Sequence, residues 1–523
     1  MTGHHEPTPE ELDGIDPHVY HRRWGILATM CLSLVLIVAT VSSVNVAIPF
    51  LAKSSLAPTD TQILWIIDAY ALVFAAFLLP AGALGDRFGR KGALLGGLAV
   101  FAAASVASAF MTSAVALIIC RAVMGIGAAF IMPSTLSLLQ SSFPRRERPK
   151  AIATWAGFAG AGAAIGPVLG GALLEHYWYG AVFLVSAPIA AVAFIASAVL
   201  APASRETTAH RLDFGGAALS VLGFAALLFA IIEGPERGWT DTLVVGGFAV
   251  AVAALTGFFA VEQRVAEPML DLKFFRAPRF AMGCFGISIT FFAMFAMFFV
   301  LTQYLQYVKG YSPFAAGIRG LPSAVAMVIV SPRAPRLVAR IGLARAVPLG
   351  MLLVATGLTL LSLAERDTPY WWVALCLVVT AGGMGTVMPS LSTGIMASVP
   401  MNKAGVGSAV NDTTREVGGA IGLAVVGSVV TSIYRDHAAP ALAGLPAELQ
   451  AVARHNVGKA FAVAGQLQQE NPQAAGVLRE AVRQAFVDGM HVGLRVAAAL
   501  AVAGAVVVGV RLRGVSAATD GPH

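Results

Sequence analysis

Apolar runs of about 20 residues recur along almost the whole of this chain, each long enough to cross about 30 Å of hydrocarbon. A large soluble protein with many buried helices would need a polar face on most of them, and few of these segments show one. The composition agrees: of 523 residues, 57% are hydrophobic and 12% charged, and the mean hydropathy is +0.76. The chain therefore reads as an all-α integral membrane protein.

Fourteen spans can be placed, with ends uncertain by a few residues. Six lie at about 25–50, 63–84, 93–112, 114–140, 151–174 and 180–200. A pair follows at about 213–233 and 241–262, and a second six at about 280–307, 315–338, 345–364, 370–395, 405–433 and 489–512. The basic clusters, such as Arg87/Arg90/Lys91 and Arg145/Arg146/Arg148/Lys150, occupy every second loop. Lys- and Arg-rich loops stay in the cytoplasm, which puts both termini there.

The acidic stretch 1–24 reads as a solvated tail rather than a signal peptide, because it lacks a basic start and a short apolar core. Residues 513–523 form a second cytoplasmic tail, and 266–279 a cytoplasmic linker. The external segment 434–488 breaks the charge rule, as long loops do, and its pattern suggests two amphipathic helices outside the membrane. Cys31, Cys120, Cys284 and Cys376 fall far apart in apolar runs, with neither metal nor disulfide spacing. The net charge of +7 sits in specific loops, so no nucleic-acid partner is implied.

The chain repeats internally. GALGDRFG after span 2 lies over PRLVARIG after span 10, Arg87 matching Arg340 at an offset of 253 residues. GAAIG in span 5 lies over GGAIG in span 13, Gly162 matching Gly418 at an offset of 256. Spans 1–6 (residues 25–200) thus pair with spans 9–14 (residues 280–512), leaving spans 7–8 (residues 201–265) as an insertion. Duplicated halves of this kind build alternating access around a midplane site.

These features resemble the major facilitator superfamily, and within it the fourteen-span drug:proton antiporters of the QacA/EmrB type. The resemblance covers nearly the whole chain and implies two six-helix bundles with two inserted helices. Its most specific element is the loop Gly82, Asp86, Arg87, Gly89, Arg90 and Lys91, where the family has a gating signature; a loop that only fixes topology is the alternative. Gly162, Gly166, Pro167, Gly170 and Gly171 of span 5 resemble the exporters' antiporter motif, with a packing-only glycine face as the alternative. The family's further upstream glycine is Ala153 here. Arg121, followed by glycines in span 4, resembles a buried arginine associated with proton coupling. A structural ion pair is its plainer reading.

Three carboxylates lie deep in spans: Asp68 in span 2, and Asp412 with Glu416 at i,i+4 in span 13. The resemblance makes them candidates for proton coupling and cation recognition, while Arg415 beside them could simply neutralise Glu416. Buried ion pairs with Arg121 or Arg415 are the structural alternative. At about 1.5 Å per residue, Asp68 lies about 25 Å from the loop at Gly85. In the superfamily fold spans 2 and 13 pack together, so the three acids would flank one seam. Span 1 departs from the family pattern, keeping Asn45, Ala47 and Pro49 but placing Thr40 where the acid would stand.

Phe295, Gln303 and Tyr304 belong to an aromatic- and methionine-rich span 9 that suits varied lipophilic cations, or else faces lipid. Trp65 and Tyr70 beside Asp68 belong to an aromatic wall or to the interfacial belt. No nucleophile–base pair, phosphate loop or metal cluster appears, so neither an enzyme nor an ATP-driven pump is expected, and no cofactor.

The expectation is a monomeric, proton-driven exporter of lipophilic, cationic drugs or dyes among membrane lipids. Export of a native lipid, peptide or metabolite with incidental drug efflux is the alternative. Replacing Asp68 with Asn should abolish proton-driven transport in vesicles, and transport equal to wild type would remove Asp68 from the mechanism.

Overall fold

A computed structural model describes residues 12–52, 54, 56–203, 213–455 and 457–513. Among the described residues fourteen helices are long and apolar enough to cross a membrane. Spans 1–6 are Pro17–Ile48, Thr61–Phe88, Arg90–Ala109, Ala114–Ser142, Arg148–His176 and Ala181–Leu200. Spans 7 and 8 are Phe214–Pro235 and Thr242–Glu262. Spans 9–14 are Pro278–Val308, Pro313–Ile341, Leu343–Leu361, Tyr370–Ala397, Met401–Leu442 and Pro472–Leu512. Helices are the form in which a backbone in lipid satisfies its own polar groups.

Polar residues mark several starts. Thr59 and Gln62 form a reciprocal capping box before span 2, and Asp213 and Asp241 cap spans 7 and 8. The positive φ of Gly89 (106°) and Gly342 (80°) makes the turn into spans 3 and 11, a conformation a side chain would strain.

The repeat is visible as repeated contacts. A Cβ on Gly97 of span 3 would stand 2.7 Å from Gly127 O of span 4, and one on Gly350 of span 11 would stand 3.0 Å from Gly383 O of span 12. Likewise Gly162 and Gly166 of span 5 press on Val35, Val38, Ala39 and Ser42 of span 1. Their counterparts Gly418 and Gly422 of span 13 press on Ser288 and Phe292 of span 9. Each half has its own apolar core, and the cores meet at Leu79 on one side and at Met396 and Ala404 on the other. Between the halves span 2 packs on span 13, and span 5 on spans 10 and 12. Spans 7 and 8 pack together, with span 7 lying against spans 2 and 13.

Helix ends depart from the hydropathy reading where polar side chains find partners. Span 1 starts at Pro17 rather than near 25, because Arg23 pairs with Glu147 at 2.7 Å and Trp24 meets Phe143 edge-on at 5.4 Å. In the segment 434–488, span 13 runs on to Leu442 and residues 472–490 are continuous with span 14. Only Ala447–His455 and Val457–Glu470 stand as separate short helices. They dock through Tyr434, whose hydroxyl donates to Ala453 O at 2.9 Å, and through Phe461 stacked on Tyr307 at 5.4 Å.

Gly166→Val should cost about 1–3 kcal/mol by forcing spans 1 and 5 apart. A lower melting temperature would show it, against an unchanged one for Gly96→Val, where nothing lies within 4 Å. Equal melting temperatures would contradict the close-packed interface.

Candidate functional site

At the end of the molecule carrying the Arg- and Lys-rich loops, Asp86 of span 2 joins the two halves. Its carboxylate accepts from Gly405 N at 2.8 Å and Val406 N at 3.0 Å, in the first turn of the span 13 helix. A carboxylate there meets unsatisfied N–H groups and the positive end of the helix dipole. Arg90 donates to Asp86 at 2.9 Å and reaches across to Met401 O. The contact needs glycines on both sides: a Cβ on Gly82 would be 2.6 Å from Gly405 O and 2.7 Å from Ala409 Cβ. Gln140 of span 4 adds a second bridge, to Met396 O of span 12 at 2.8 Å.

The other residues of that loop do different work. Lys91 donates to Ala198 O at 2.7 Å, tying the loop to span 6. Arg87 lies over the Phe88 ring, 5.2 Å from its centroid.

Deeper in the bundle the charged residues form two groups, one per half. In the first, Arg121 is wholly buried and its Nε donates to Ile66 O at 2.8 Å. Its guanidinium lies 4.5 Å over the Tyr70 ring, and the charge of Asp68 acts on it. Neither Nη1 nor Nη2, nor the Tyr70 hydroxyl, has a hydrogen-bond partner among the described residues.

In the second group Arg415 faces Asp412 at 3.4 Å and donates to Ser392 Oγ at 3.1 Å. Ser392 donates to Asn411 Oδ1 at 2.9 Å, and Asn411 returns to Asp412 at 3.0 Å, closing a ring between spans 12 and 13. The guanidinium also lies 5.1 Å from the Trp155 ring of span 5 and 5.5 Å from Phe291 of span 9. Arg415 thus closes on Asp412 rather than neutralising Glu416 alone. Glu416 stands one turn along the same helix from Asp412, at i,i+4.

The span 5 glycines are packing surfaces on two sides. Gly162, Gly166 and Gly170 meet span 1, while Gly171 meets Phe314 and Pro167 meets Gly317 of span 10. Several expected cavity residues lie elsewhere. Thr40 is buried, donating to Leu36 O at 2.7 Å with Ser186 Oγ at 3.0 Å, beside a small space of about 130 Å³ between spans 1, 5 and 6. Asn45 is exposed. Trp65 stacks on Phe229 of span 7 at 6.0 Å, and Tyr304 is held by Glu365 O at 2.7 Å. Gln303 is half-buried before a π-helical turn, and Phe295 packs on Gly419. Trp155, Ser392 and Asn411 were not anticipated, whereas Phe291 belongs to the aromatic span 9 that the sequence singles out; the tryptophan in a helix of small residues was the one available signal.

The sequence profile of the Major Facilitator Superfamily matches residues 30–423. The chain belongs to that superfamily. It is 35% identical over 494 residues to the multidrug efflux pump LfrA of Mycolicibacterium smegmatis, covering 94% of this chain and 97% of the relative. It is 31% identical over 475 residues to the methyl viologen resistance protein SmvA of Salmonella typhimurium, covering 90% and 95%. The fold resembles the human organic anion transporter MFSD10 with a TM-score of 0.59 at 15% identity, covering 96% of this chain and 100% of that one. This superfamily member is a membrane transporter, not an enzyme.

Asp86→Asn removes a charge from three hydrogen bonds, each charge-assisted bond contributing about 1.5–3 kcal/mol. In a background without the four native cysteines, a cysteine at Ala409 should then react with a membrane-impermeant thiol reagent about tenfold faster from the basic end. An unchanged rate would mean that Asp86 does not hold the halves together.

Proposed function

We propose that this transporter is a proton-coupled antiporter exporting lipophilic cations across the bacterial cytoplasmic membrane, with both termini cytoplasmic. The observation that carries the reading is the charge balance at the seam. Three carboxylates, Asp68, Asp412 and Glu416, share the interior with two guanidiniums, those of Arg121 and Arg415. With all ionised, one negative charge is in excess. In a membrane interior that excess must be met by a proton or a bound cation, and exchange of one for the other is antiport.

The surrounding rings suit the substrate class. Trp155, Phe291 and Tyr70 already hold guanidinium groups against their faces, and the same faces attract organic cations. The relative named for methyl viologen resistance supports a cationic substrate, since methyl viologen is a dication. The basic loops supply the orientation, through the excess of Lys and Arg on the cytoplasmic side.

The cycle follows from these parts. In the outward-open state of the cycle, Asp86 on span 13 keeps the cytoplasmic end closed and the seam is reached from outside. A proton entering there neutralises the excess carboxylate, and the cation leaves outward. Inward opening requires span 13 to part from Asp86; the proton is then released to the cytosol and the anion is restored for the next cation. The twofold arrangement of the halves makes this exchange of access a rocking of one bundle against the other.

Cells producing the protein should accumulate less ethidium than cells without it, and a protonophore should erase the difference. Glu416→Gln should reduce export at least about tenfold while leaving protein levels unchanged, since one charge-assisted contact of about 1.5–3 kcal/mol is lost. Export that survives both the protonophore and Glu416→Gln would refute the proton-coupled reading.

A further inference from the structure

The two buried guanidiniums bear on the seam differently. Arg121 of span 4 lies over Tyr70 of span 2, so both partners belong to the first half and move as one body. Arg415 of span 13 reaches out of its own half. Its contacts with Asp412, Ser392 and Phe291, on spans 13, 12 and 9, stay within the second half. The Trp155 ring, 5.1 Å away, belongs to span 5 of the first half. Span 5 meets the second half mainly at spans 10 and 12, and the long Arg415 side chain crosses the remaining gap from span 13. Parting of the halves therefore breaks the Trp155 contact and keeps the others.

Trp155 is wholly buried, and its indole N–H has no hydrogen-bond partner among the described residues. A buried indole ordinarily finds an acceptor, so this ring forgoes a bond in the position that places it under Arg415. What it offers the seam is its π face, which attracts a cation strongly where water is excluded. A planar guanidinium suits that face well. The resident guanidinium and an organic cation cannot hold it together.

We propose that the Trp155 face is shared in time between Arg415 and the transported cation. With the cytoplasmic end open, Arg415 stays with Asp412 and Phe291, and the incoming cation takes the indole face. Closure on Asp86 brings Arg415 back onto Trp155 and displaces the cation toward the outside. Arg415 is thus a built-in competitor that sets both the affinity for the substrate and the direction of its release. The inference rests on the reading that the exported molecules are cations.

Ethidium binding to the purified full chain tests it through a double-mutant cycle. Arg415→Gln should bind ethidium about tenfold more tightly than wild type, because the competitor is gone, yet export it more slowly from cells. Loss of a merely structural arginine would lower both. Trp155→Leu should weaken binding about tenfold, and adding Arg415→Gln to it should give no tightening. Should Arg415→Gln bind nothing, as a misfolded chain would, Arg415→Lys decides instead. It keeps the charge but stacks less well, so it should bind ethidium more tightly than wild type, and equal or weaker binding overturns the inference. Equal tightening by Arg415→Gln with and without Trp155 would reveal an effect of charge alone. That result, unchanged binding by Arg415→Gln or by Trp155→Leu, or undiminished export by Arg415→Gln overturns the inference. Cation transport stands in each of these cases while Glu416→Gln still removes ethidium binding. No ethidium binding by wild type overturns both.

Discussion

Charge inside a membrane is tolerated only where something answers it, and that constraint organises this transporter more than apolar packing does. Asp86 is answered by two backbone amides and Arg90, Arg121 by a carbonyl, an aromatic face and Asp68, and Arg415 by a ring of polar side chains. Apart from Asn411 and Asp412, which lie on the same helix as Arg415, each answer comes from a different helix or from the other half, so satisfying the charges also fixes how the helices are placed. The glycines follow from this: Gly82 and Gly405 let two backbones come close enough for one carboxylate to reach across.

The duplication is symmetric in packing and asymmetric in charge. The glycine pairs 97/127 and 350/383 repeat one helix contact, and Gly89 and Gly342 repeat one turn. Asp86, however, has Ala339 as its counterpart, so the acidic latch occurs once. On the other side, Gly157 of span 5 lies close against span 10, where a Cβ on it would stand 3.2 Å from Ser331 Cβ. The acidic contact therefore ties the span 2–13 side and has no counterpart at Ala339. The inserted pair reinforces the asymmetry, since spans 7 and 8 lie beside the latched seam alone.

Much of the architecture was legible because its signals are long-range in sequence: span lengths, alternating basic loops and a repeat whose offsets agree. The facing of spans 2 and 13 came from the family resemblance, and the intramembrane acids stood out against apolar surroundings. Side-chain direction was not legible. In a helix apolar all round no periodicity marks a face, so Trp65 gave no sign that it turns to Phe229, nor Tyr304 that it reaches Glu365 O. Thr40 looked like a vacated acid position, yet it is a hydrogen-bonded tie near Ser186. The ring of Arg415, Ser392, Asn411 and Asp412 needs two spans in register, which spacing within one span cannot reveal.

At the centre of the account is the claim that one proton and one cation compete for the excess negative charge at the seam. Proton release on substrate binding measures this directly. Purified transporter in weakly buffered solution with a pH-sensitive dye should release a proton when ethidium binds, and Glu416→Gln should bind ethidium weakly and release none. Tight binding by the wild-type protein with no proton released, across the pH range where the seam carboxylates titrate, would contradict the shared site.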